Sequence, residues 1–205
     1  MKPNRIFILN STIVNEGRSF KGDVLIEDGL IHTISSADSG GLKCMMSDKD
    51  QSVDAGGKYL FPGIIDTHVH FREPGFTDKA DIYTESRAAI AGGVTSFMEM
   101  PNTKPQVLNK EVLAEKFEIA AAKSLANFSF FIGASNDNLD EILKTDPSEV
   151  CGVKLFLGAS TGNMLVDDEN TLEKLFSESP LLIAVYDEDE NIIQSNLNKA
   201  KKEFA

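Results

Sequence analysis

Tyr59-Leu60-Phe61-Pro62-Gly63-Ile64-Ile65-Asp66-Thr67-His68-Val69-His70-Phe71-Arg72-Glu73-Pro74-Gly75 holds two of the chain's three histidines, one residue apart. The apolar run at 59–65 predicts a buried strand. Strand side chains repeat every two residues, so His68 and His70 leave one face together. Two imidazoles side by side on a rigid strand make half of a site for a divalent metal such as zinc. The competing reading is a pair of core histidines that alternate by chance. Asp66, Arg72 and Pro74-Gly75 are not what a packing strand needs, which favours the metal.

The 205-residue chain has formal net charge −12 and 41% hydrophobic residues, an ordinary globular composition with enough apolar content for a core. Its acidity argues against nucleic acid or an anionic membrane surface as a partner, but a small anionic substrate needs only one or two local cations. No apolar stretch approaches the length of a membrane span, and Met1 to Asn10 lacks the apolar centre of a signal peptide. Cys44 and Cys151 lie far apart without metal-ligand spacing, so two plain thiols in a cytoplasmic location are expected.

Two zones follow. In residues 1–59, Ile6–Leu9, Asp23–Ile26 and Leu30–Ile34 are short apolar runs, and Glu27-Asp28-Gly29 between the last two signals a hairpin. His32 lies in that hairpin without a ligand-type neighbour and reads as a surface or packing residue. Residues 37–52 read as a loop, and the zone as a small β module. Residues 60–205 alternate strand and helix. Strands are expected at Leu60–His68, Val94–Met98, Asn127–Ile132, Gly152–Leu157 and Leu181–Tyr186. Helices are expected near 79–91, 109–124, 136–144, 168–178 and 188–203, with Asp78, Asn109, Asn136 and Asp167 as N-caps and Gly92-Gly93 as a C-terminal stop. The acidic run Asp187-Glu188-Asp189-Glu190 suits the start of the last helix.

Such β/α units imply a parallel sheet, either a barrel or an open doubly wound sheet. The lack of a glycine-rich dinucleotide fingerprint weakens the second. A complete eight-unit barrel takes roughly 250 residues. Five strands fit after residue 59, so the expected fold is α/β, an incomplete (β/α) TIM-type barrel of about five units. Barrel chemistry gathers where strands end. Those positions hold His68, His70 and Arg72, then Met100-Pro101-Asn102-Thr103, then Lys154 within Gly152–Ser160, then Tyr186-Asp187.

Asp66–Gly75 resembles the signature of the dihydroorotases, in the cyclic amidohydrolase (metallo-dependent hydrolase) family. Met100–Thr103 and Gly152–Ser160 resemble further blocks of that family. The likeness covers nearly all of this chain and about the first half of a usual member. Hydantoinases and dihydropyrimidinases share the paired histidines, but Phe71–Gly75 fits dihydroorotase better. The resemblance implies that His68 and His70 bind the more buried of two zinc ions and that Lys154, carbamylated by carbon dioxide, bridges the metals. It implies substrate binding by Arg72 and Asn102, with Asp66 as a support. It also implies a zinc-dependent reaction of pyrimidine biosynthesis, the reversible hydrolysis of dihydroorotate to N-carbamoyl-L-aspartate by metal-activated water.

Two departures bear on that expectation. Family members end the fifth strand with a histidine for the second metal, where this chain has Tyr186; Asp187, the possible substitute, starts on the opposite strand face. The family's proton-transfer aspartate would lie beyond Ala205, so no catalytic residue is assigned within the chain. At most one zinc, at His68, His70 and Lys154, and no activity of the chain alone are therefore expected. The alternatives are a noncatalytic module binding a carbamoyltransferase or a homologous subunit (a homo-oligomer included), and a hydantoinase-type cyclic amidase.

Overall fold

The computed structural model describes residues 4–158 and 163–203. It divides the chain into two compact units, residues 1–62 and 63–205. In the first, β1 (Arg5–Asn15), β2 (Arg18–Glu27) and β3 (Leu30–Ser36) form an antiparallel meander, and β4 (Gln51–Asp54) and β5 (Tyr59–Leu60) pair parallel with β1. The expected hairpin is present. Asp28 and Gly29 both take left-handed φ, 49° and 83°, as a tight two-residue turn requires. A second such turn, Glu16-Gly17 at φ 49° and 72°, joins β1 to β2 and lengthens both strands beyond their apolar runs. Phe7, Leu9, Leu25 and Leu42 form this unit's core, and His32 is exposed, as a surface residue should be.

The second unit runs β6 (Ile64–Val69), α1 (Ile82–Ala91), β7 (Val94–Glu99), α2 (Lys110–Lys123), β8 (Asn127–Gly133), α3 (Leu139–Leu143), β9 (Gly152–Phe156), α4 (Glu169–Glu178), β10 (Ile183–Tyr186) and α5 (Glu190–Glu203). Every neighbouring strand pair is parallel and the order is β6-β7-β8-β9-β10. Sequential order without a switch point is the winding of a barrel rather than of a doubly wound sheet. The fold is thus five β/α units of a TIM-type barrel. Phe97, Phe130, Ile132, Val153 and Leu155 build its core from three adjacent strands.

The run at 59–65 departs from expectation. Tyr59-Leu60 pairs with β1 in the first unit, and the barrel strand starts only at Ile64. Pro62-Gly63 interrupts the run, since proline offers no N–H to a ladder. Nor is the run buried: Ile64 and Ile65 are 55% and 58% exposed, because β6 is an edge of the sheet. Three N-caps also move. Asp81, not Asp78, caps α1 through the N–H of Thr84, and Asp168, not Asp167, caps α4 through that of Thr171. Asn138, not Asn136, precedes α3, and its side chain instead ties Ser135 to Gly133 and Leu108. Asn109 caps α2 as expected. Gly93 carries the left-handed φ (88°) that ends the first helix. Among the described residues no helix is long and apolar enough to cross a membrane.

Candidate metal centre

Val69 ends β6, and the histidines flank it. The rings of His68 and His70 lie with centroids 5.4 Å apart, so the two-residue spacing does bring the imidazoles together. His68 is exposed and His70 half-buried. Burial, then the charges of Arg72 and His68, hold the His70 imidazole below the usual histidine range, and a hydrogen bond with the Asn102 side chain partly offsets this. A histidine that resists protonation is in the state a metal requires.

Asp66 supports this pair, but through the backbone: its Oδ1 accepts the His68 N–H at 3.1 Å. Past His70 the chain alternates again. Phe71 turns inward, 7% exposed, with its ring 4.3 Å from that of Phe97 on β7. Arg72 is half-buried with φ 67°. Glu73 is buried, accepting the first N–H of α1 from Ile82 at 3.0 Å and pairing with Lys123 at the end of α2. The signature loop is therefore bolted to both flanking helices by a residue that sequence reading assigned no task.

The second strand end supplies Asn102. The Met100 N–H donates to the Val69 carbonyl at 3.0 Å and the Lys104 N–H to the Pro74 carbonyl at 3.1 Å, so residues 100–104 run against the signature loop. This sets the Asn102 amide against His70, a contact not foreseen for a residue expected to hold substrate.

Lys154 lies on β9 and is 3% exposed. Its ammonium sits 5.1 Å from the ring centre of Phe156 and 5.7 Å from that of Tyr186. Phe156 is two residues along the same strand and pairs directly with Tyr186 on β10, so all three side chains share one face. Burial pushes the Lys154 amine below its ordinary value, and its charge is among those acting on His70. Residues 159 and 160 of the Gly152–Ser160 block lie outside the described residues. Tyr186 is 41% exposed, and its hydrogen bond with Glu188 raises its phenol further from ionisation. Asp187 is exposed beyond the end of β10.

Among the described residues no cluster of three or more His, Cys, Asp and Glu is placed to hold a metal. The donor set is two imidazoles and an amine that burial drives toward neutrality. That set fits one metal ion if the amine becomes a carbamate, since a lysine ammonium cannot ligate.

Residues 59–155 match the model of the Amidohydrolase family. A dihydroorotase of Methanosarcina acetivorans is 32% identical over 190 residues, 91% of this chain and 39% of that protein. An allantoinase of Bacillus velezensis is 33% identical over 175 residues, 84% of this chain and 37% of that one. The structure of the L-hydantoinase (dihydropyrimidinase) from Arthrobacter aurescens is similar with TM-score 0.86 and 27% identity, over 98% of this chain and 44% of that chain. The chain thus carries an amidohydrolase-family segment. More narrowly, it resembles the N-terminal part of the dihydroorotases and their hydantoinase and allantoinase relatives, and spans about two-fifths of the length of those it matches.

Proposed function

We propose that this chain supplies the first metal-binding and substrate-binding half of a dihydroorotase-type cyclic amidohydrolase. The observation that carries this is the pairing of His68 and His70 at 5.4 Å, with the charge of the buried Lys154 acting on His70. His68, His70 and a carbamate on Lys154 would hold one zinc. Bound zinc supplies a Lewis acid and water with a pKa near neutrality. Taking up carbon dioxide needs the uncharged amine, and burial lowers the Lys154 pKa in that direction, with the rings of Phe156 and Tyr186 at 5.1 and 5.7 Å. Arg72 offers a guanidinium fork to a carboxylate such as that of dihydroorotate or N-carbamoyl-L-aspartate. Asn102 steadies the His70 ring and keeps its remaining amide capacity for the substrate. No proton-transfer group is assigned among these residues, so the chain alone binds zinc without turning substrate over. Its place would be pyrimidine biosynthesis in the cytoplasm, where two free thiols stay reduced.

A second reading, a partner-binding module, is favoured by the sheet edges. Among the described residues, β6 and β10 each have one side without a strand partner, with Ile64, Ile65 and Leu182 more than half exposed. A homologous subunit or a carbamoyltransferase are the partners proposed for them. Both readings are tested by incubating the purified chain with zinc, bicarbonate and dihydroorotate. Zinc binding without turnover supports the first, no zinc at all leaves the second, and robust hydrolysis by the chain alone contradicts the account.

A further inference from the structure

Glu99, the last residue of β7, and Lys116 on α2 form an ion pair at 2.9 Å, and neither is exposed to solvent. A buried ion pair adds little net stability over an apolar pair of the same volume, so its geometry has to be read for another task. The Glu99 Oε1 accepts the Phe71 N–H at 3.0 Å, and the carboxylate also takes the Arg72 N–H. These are the two peptide groups directly after His70. Lys116 donates to the Met100 carbonyl at 3.1 Å and lies 4.9 Å from the Phe130 ring centre, which fixes the carboxylate from behind. Arg72 has φ 67°, a left-handed conformation that a non-glycine residue holds only where its surroundings over-determine it. The Arg72 carbonyl is in turn held by the Phe76 N–H at 3.0 Å.

We propose that Glu99 is a positioning residue: its carboxylate grips the N–H groups of Phe71 and Arg72 and so aims the His70 imidazole and the Arg72 guanidinium into one site, with Lys116 as its fixed counter-charge. This rests on the metal and substrate roles proposed above. The carboxylate acts through the backbone and touches neither metal nor substrate.

The test uses two double variants of the full chain. Glu99→Gln with Lys116→Met removes the charges but keeps an acceptor for the Phe71 N–H. Glu99→Leu with Lys116→Met fills the same space without one. Amide hydrogen exchange of the metal-free chain is followed by NMR, and cobalt(II) affinity by its visible spectrum. In the leucine variant the Phe71 and Arg72 amides should lose protection while Val153 and Leu155 on β9 keep theirs, and cobalt affinity should fall about 10- to 100-fold, as when a ligand loses its outer support. The glutamine variant should keep Phe71 protection and hold cobalt affinity within about threefold. The inference is overturned if the leucine variant keeps both amides protected, or if β9 loses protection in parallel, which would mark a purely structural pair. Should the leucine variant not fold, a tenfold or greater affinity loss in the glutamine variant overturns it, on the same scale. If the wild-type chain binds no cobalt while exchange follows Glu99 as described, the metal role falls and the grip on the loop stands.

Discussion

The Lys154 ammonium lies 5.7 Å from the centre of the Tyr186 ring, on the face that both share with Phe156. A position where the dihydroorotase resemblance implies an imidazole thus holds a phenol ring beside the lysine nitrogen, and its hydrogen bond with Glu188 raises that phenol further from ionisation. Replacing Tyr186 by histidine should put a third imidazole on this face. Bound metal should rise from about one to about two ions per chain in elemental analysis after dialysis, as in a two-metal site. Turnover should stay absent, because no proton-transfer group is added.

The pH response follows from His70. Its imidazole binds a proton less readily in the folded chain than in the unfolded one, chiefly through burial and then through Arg72 and His68. Below the ordinary histidine pKa of about 6.5 the unfolded chain therefore takes up more protons, and stability falls as pH falls. Urea midpoints of the metal-free chain should drop on acidification through that range. In His70→Asn the dependence should be shallower; an unchanged slope would contradict this assignment.

Glu73 and Lys123 are unequal partners. Glu73 is 5% exposed and also holds the Ile82 N–H, whereas the Lys123 side chain is 45% exposed. Glu73→Ala should cost about 1–3 kcal/mol, because it leaves a buried donor at the start of α1 without a partner. Lys123→Met should cost clearly less, because pairs made by exposed lysines contribute little. Equal losses in denaturant titrations would show that the Ile82 bond contributes nothing.

The two open sheet edges should make the chain self-associate. Ile64 and Ile65 on β6 and Leu182 before β10 are exposed, and apolar edges recruit other strands. Ile65→Lys should shift gel filtration toward monomer and raise solubility. A profile already monomeric at high concentration would remove the support for a docking role.

The barrel strands were legible because Phe97, Phe130, Ile132, Val153 and Leu155 sit in short apolar runs at regular intervals. The approach of His68 to His70 was legible because strand side chains repeat every two residues, whereas the roles of Lys154 and Asn102 were read only from the family resemblance. The split of the run at 59–65 between two units was not, since only tertiary pairing decides whether Tyr59-Leu60 joins β1 or β6. The N-caps slipped by one to three residues because several Asp and Asn side chains compete at each helix start, and loop packing selects among them. Glu99 and Lys116 gave no signal at all. A carboxylate at a strand end and a lysine on a helix read as surface residues until the fold buries them against each other.

Metal stoichiometry tests the central claim most directly, measured by elemental analysis after zinc and bicarbonate loading, gel filtration and long dialysis. The account predicts about one zinc per wild-type chain and close to none in His68→Ala, since a three-donor protein site does not survive loss of a ligand. Close to no zinc in the wild-type chain, or zinc that persists in His68→Ala, would contradict it.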